Sequence, residues 1–217
     1  MTKSVRDTQE RDKRFRAHRT RLTGFQVALE QDAMRLRAEL NYSDYGYLPL
    51  ENALKCVPNC DVLSTRHIPG IAYEDLIHFR TVGYHVGAFA IRDEHGIKIV
   101  FNDAHPPACV RVNVMEELFH LRLGHIPDLL SVIPVDGKHR THDVMKEREA
   151  YGCAIASLVP FAGLQAMLAR HAHIERIAEH FFVPAEVVRE RIGATNLGDL
   201  ANAQLRQLAL IPNDDTY

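Results

Sequence analysis

The stretch RVNVMEELFHLRLGH, residues 111–125, decides how this chain is read. Val110, Val114, Leu118 and Leu121 recur three and four residues apart, which is the spacing of an apolar stripe along a helix. Gly124 supplies a helix stop, so the helix is expected from about Cys109 to Gly124, with His125 just past its end. Glu116 and His120 are four residues apart and lie one turn above each other, so both can reach one cation. Glu117 sits beside them, and the pattern is E-E-x-x-H.

The related pattern H-E-x-x-H is the helix of zinc hydrolases, in which two histidines hold the ion and the glutamate activates water. In this chain Glu116 takes the first ligand position, Glu117 the general-base position and His120 the second ligand position. The exchange of His for Glu makes the donor set harder, moving preference from Zn²⁺ towards Mn²⁺ or Fe²⁺. It also lowers the effective charge of a bound ion. The bland alternatives are a solvated acidic face for Glu116 and Glu117, and a satisfied core histidine for His120.

Downstream, Asp143 reads as the N-cap of a helix from Val144 to Leu158. Met145, Gly152, Cys153 and Ala156 share a face with Glu149, and the small residues among them allow another helix to come close. A carboxylate placed in such a contact is costly without a positive partner, which a metal ion would supply. Pairing with Arg111 or Arg148 is the alternative. Cys153 is expected as a buried thiol lining the site. His125 is expected to support the site without binding the ion. His139 and His142, in an irregular connection over residues 126–143, are candidates to close over it. The uncharged run Tyr151–Ala169 approaches membrane-spanning length, but Ser157, Pro160, Gly163 and Gln165 point to two buried helices broken near Pro160.

Elsewhere, Leu22–Leu40 suggests a helix of only partly regular spacing, and a short helix follows over Pro49–Cys56. Asp61–Ile68 suggests a strand of weak alternation. Tyr84–Arg92 and Ile97–Asn102 read as a hairpin turning at Asp93–Gly96, with Ile97, Ile99 and Phe101 on its buried face. Residues 173–192 read as helix, turn, helix. Arg189 and Arg191 interleave there with Glu186 and Glu190, which suits packing better than reading DNA.

Composition sets the frame. The apolar and charged fractions, 46% and 25%, are those of an ordinary globular domain, and a net charge of −2 gives the whole chain no strong pull towards nucleic acid or membrane. Residues 1–22 carry eight Lys/Arg against three Asp/Glu, a local excess of +5 suited to phosphates or an acidic partner, or simply to a solvated arm. Cys56, Cys60, Cys109 and Cys153 make no small-domain disulfide framework. The C-x₃-C pair Cys56/Cys60 has no second cysteine pair to complete a metal site. The opening residues lack the hydrophobic core of a secretory signal, and a cytoplasmic location is expected.

In the order of these parts the chain resembles the ImmA/IrrE metallopeptidases over roughly residues 84–193. Arg111 leads into the E-E-x-x-H helix, then Leu123-Gly124-His125, then Glu149-Ala150, then Ala156 to Pro160, then the helical pair Ile174–Ile192. The resemblance implies a mainly helical α+β fold of the zincin, gluzincin-type class with a small antiparallel sheet. It divides the chain into an N-terminal helical region (1–80), a metallopeptidase-like core (81–165) and a C-terminal helical module with an acidic tail (166–217). It further implies one divalent metal held by Glu116, His120 and Glu149, with Glu117 as base and Arg111 nearby. The implied partner is a helix-turn-helix repressor cleaved as substrate. The other class of reading is a non-catalytic regulatory module that binds a repressor or DNA.

Overall fold

A computed structural model describes residues 22–67, 87–93, 96–125, 143–170 and 172–201, together with Glu74, Ile77, Arg80 and Thr81, which have helical backbone. The basic arm before Leu22, the loop holding His139 and His142, and the acidic tail all lie outside the described residues. The architecture is mainly helical α+β, as the sequence reading expected. In chain order, helices α1 (Gly24–Glu39) and α2 (Leu50–Leu54) precede strand β1 (Cys60–Ser64) and a turn of 3-10 helix. The hairpin β2 (Ala88–Asp93) and β3 (Gly96–Phe101) comes next. Helices α3 (Pro107–Arg122), α4 (Val144–Leu158), α5 (Phe161–Ala169), α6 (Ile174–Phe181) and α7 (Ala185–Ala194) follow.

Helix α1 begins in a capping box. The Thr23 hydroxyl accepts from the Gln26 backbone N–H at 3.2 Å, while the Gln26 side chain accepts from the Thr23 N–H at 2.8 Å. Its buried stripe is Val27, Glu30, Ala33, Leu36 and Arg37, so two charged residues stand where apolar ones would mark the period. That substitution explains the irregular spacing in the sequence. Each charge is satisfied: Arg37 donates to the carbonyl of Ser157 at 2.6 Å, and Glu30 meets Arg191 of α7 at 2.6 Å. Arg191 also donates to the Val159 carbonyl at 3.0 Å, so one guanidinium ties α1, the end of α4 and α7 together. Breaking a buried pair strands the remaining charge, so Arg191→Ala or Glu30→Ala is expected to cost about 3–5 kcal/mol. Urea unfolding would read this, and joint replacement by an apolar pair should cost much less.

The sheet has the order β1-β3-β2. The hairpin β2–β3 is antiparallel as expected, but β1 joins β3 in parallel, pairing Val62 with Ile99, so the sheet is mixed rather than purely antiparallel. Periodicity alone does not give strand direction. Val100, expected on the open face, is buried along with Ile99. Asn102 ends β3, its side chain accepting from the Ala104 N–H at 3.0 Å.

Helix α3 packs on β2, β3 and α4, and α4 also packs on α1. α3 starts two residues earlier than expected because Pro107 takes its first position, where a missing N–H costs nothing. It is buried nearly all round, through Val112, Val114, Met115, Leu118 and Phe119. Helix α4 is close to α1 at Gly152, where an added Cβ would stand 2.5 Å from Leu29 Cδ1. The expected break is present: α4 stops at Leu158, α5 starts after Pro160, and the two are bent by 52°. No single helix among the described residues is long and apolar enough to cross a membrane.

Candidate metal centre

The end of α3 is shaped by Gly124, whose φ of +72° suits a residue without a Cβ. The His125 N–H bonds the His120 carbonyl at 2.8 Å and the Gly124 N–H bonds that of Leu121 at 3.2 Å. These are the paired bonds of a Schellman cap. The cap turns the chain back, so the His125 ring stacks edge-on against His120 with centroids 5.4 Å apart. The opposing helix α4 is started by Asp143, which accepts from the N–H groups of Met145 (3.0 Å) and Lys146 (3.4 Å), and this puts Glu147 in its first turn.

The two helices bring Glu116, His120 and Glu147 together. One donor atom from each lies within 4.8 Å of the others, and His120 Nε2 is 3.3 Å from a Glu147 carboxylate oxygen. Glu116 and His120 are the pair expected from the motif. The third carboxylate is Glu147, two residues before the expected Glu149. Glu149 meets His125 Nε2 at 3.2 Å, outside the cluster. The physical reason lies in how α4 is rotated. Its small-residue face turns to α1, where the Cys153 thiol feels Asp32, Glu30 and Arg35, and Met145 is exposed. Residues two apart stand about 200° apart around a helix, so 147 and 149 cannot share a face. Glu147→Ala is therefore expected to weaken divalent-cation binding at least about tenfold more than Glu149→Ala, read by calorimetry, since loss of a ligand removes a charged donor outright.

Arg111 is buried away from this cluster. It donates to the Leu48 carbonyl at 2.6 Å and stacks over the Tyr47 ring at 4.2 Å, fastening α3 to the segment before α2. Arg148 lies over Phe25 at 5.8 Å. Neither arginine is the partner of Glu149 that the plainer reading supposed. Cys153 is a buried thiol pushed up to about 12, mainly by burial, then by Asp32, Glu149 and Glu30, so it stays protonated. Sequence reasoning missed Tyr151, one turn after Glu147, whose phenol donates to Glu190 of α7 at 2.6 Å. No motif announces a lone tyrosine.

The electrostatics suit a cation. The Glu116 carboxyl is pushed up to about 8, first by burial and then by the charges of Glu117 and Glu147. A mostly buried acid beside two others is expensive to ionise unless positive charge joins them. Two carboxylates and one imidazole lie close enough together to hold one divalent ion, and Glu117 stands next to Glu116 in the chain. No match was found among curated proteins. Residues 77–193, more than half of the chain, match the sequence profile of the M78 peptidases, described as the IrrE N-terminal-like domain, and the chain belongs to that family.

Proposed function

We propose that this chain is a divalent-metal-dependent peptidase of the IrrE type, whose centre is Glu116, His120 and Glu147. The observation that carries the reading is the convergence of those three side chains, with the Glu116 carboxyl pushed up first by burial and then by the charges of Glu117 and Glu147. A divalent cation there would polarise a carbonyl and acidify a water molecule. The chain's own residues have separate tasks. Glu116, His120 and Glu147 hold the ion, and the His125–Glu149 pair braces the His120 ring from its edge. Glu117 takes the proton of the attacking water and delivers it to the leaving nitrogen. The oxygen-rich donor set favours Mn²⁺ or Fe²⁺ more than a two-histidine site does, with Zn²⁺ still within range.

The substrate we propose is a helix-turn-helix repressor, the protein class implied by the ImmA/IrrE resemblance. Incubation of a candidate repressor with protein purified without chelator should give discrete fragments, and chelator should stop their appearance. Intact repressor at every metal concentration would remove the peptidase reading. Repressor that is bound but uncut would favour the regulatory module instead. One feature supports that second reading: Glu116 in place of a histidine adds a negative charge and makes the ion a weaker Lewis acid.

A further inference from the structure

Tyr151 has no task in the mechanism above, yet three observations place it at the centre's margin. It follows Glu147 by four residues in α4, so the two side chains stand one above the other on the same helix face. Its phenol is half-buried and feels the charge of Glu116 as well as that of Glu190, although burial is the main influence on it. Its proton is given to Glu190 of α7 at 2.6 Å. The same helix α7 also passes the other end of α3: Cys109, two turns before Glu116, feels the charge of Glu186, one turn before Glu190. Helix α7 therefore packs against α4, and Tyr151 bridges the two through Glu190.

A phenol has one proton to give. A bond to a carboxylate is a strong use for it, stronger than a bond to a neutral oxygen. We propose that Tyr151 is a hydrogen-bond donor for an oxygen bound at the Glu116–His120–Glu147 centre, parked at rest on Glu190. The C-terminal helical pair thereby controls the donor: while Glu190 holds the proton, an incoming oxygen must compete for it. Burial, and then the nearby carboxylates, push the Tyr151 phenol up from its ordinary value, so it remains a donor across the physiological range. The inference rests on the metal-centre reading, because the oxygen it serves is one gathered by the ion.

The test uses the full chain loaded with Mn²⁺ and acetohydroxamate as an oxygen-bearing chelating probe. Metal affinity and probe affinity are measured separately by calorimetry for wild type, Tyr151→Phe, Glu190→Gln and the double variant. Tyr151→Phe should bind Mn²⁺ like wild type and bind acetohydroxamate about three- to tenfold more weakly, the loss of one hydrogen bond. Glu190→Gln should bind the probe more tightly, because the proton is less firmly held. That gain should vanish in the double variant, since Glu190 acts through the phenol. Unchanged probe affinity in Tyr151→Phe would overturn the proposal and leave the metal centre standing. So would a Glu190→Gln gain that persists without the phenol, because Glu190 would then act by its charge alone. Loss of Mn²⁺ affinity in Tyr151→Phe would make Tyr151 a support of the ligand set and also end the proposal. Failure of wild type to take up Mn²⁺ would end both readings at once.

Discussion

Addition of Mn²⁺ or Zn²⁺ to chelator-treated protein at pH 8 is expected to raise its unfolding midpoint by about 5–10 °C. A ligand at a hundred times its dissociation constant stabilises by about 2.7 kcal/mol, and each kcal/mol moves a domain of this size by about 2–4 °C. The sign of the pH dependence follows from Glu116. Its folded-state pKa is raised from 4.5 to about 8, so the metal-free protein is favoured by protonation. That stabilisation is complete below the unfolded value of 4.5 and is lost as pH rises through about 8. Binding of a cation expels the same proton. Metal affinity should therefore climb by close to tenfold per pH unit from 6 to 8 and level off above. Calorimetry in buffers of different ionisation enthalpy should report the release of close to one proton per ion at pH 7.

Glu116→Gln separates the effects. The amide cannot ionise, so the metal-free variant should lose no stability between pH 6 and 8, and at pH 8 it should be more stable than metal-free wild type. It should also fail to respond to metal. A variant that kept the full metal response would place the ion elsewhere.

The second large effect concerns the base. Glu117→Gln should retain metal binding and lower the rate of repressor cleavage by about 10²–10⁴-fold, the usual worth of a positioned proton acceptor. Glutamine keeps the shape of the side chain but cannot accept a proton. Because Glu117 is one of the charges that raise Glu116, its removal should also shift the pH at which metal affinity levels off downwards. The two readouts come from one variant: a slowed rate with unchanged metal affinity above pH 8, and a displaced affinity profile below it. Cleavage at the wild-type rate would mean that another group takes the proton from water.

The pairing of Glu116 with His120 was legible in the sequence because it depends only on helix period, and both residues lie within one uninterrupted helix. The start of α4 was legible for a similar local reason, the capping chemistry of Asp143. The third carboxylate was not. Choosing between Glu147 and Glu149 requires the rotation of α4 about its axis, and that is set by contacts with α1 such as Leu29 against Gly152. Small residues marked a packing face correctly, but nothing in the sequence said which helix would cover it. The parallel pairing of β1 with β3 is hidden for the same reason, being a long-range choice. Helix α1 was blurred by Glu30 and Arg37, buried charges that break the apolar period; Glu30 is met by distant Arg191, and Arg37 by the Ser157 carbonyl together with Asp44 and the Ser43 carbonyl just after the helix. The resemblance supplied the order of the parts, and the structure supplied the faces.

The most direct measurement is an anomalous-difference map from crystals soaked in Mn²⁺ and recorded at a wavelength where manganese scatters anomalously. One strong peak is expected within bonding distance of a Glu116 oxygen, the His120 Nε2 and a Glu147 oxygen. A peak held instead by Glu149 and His125, or no peak between α3 and α4 at saturating Mn²⁺, would contradict it.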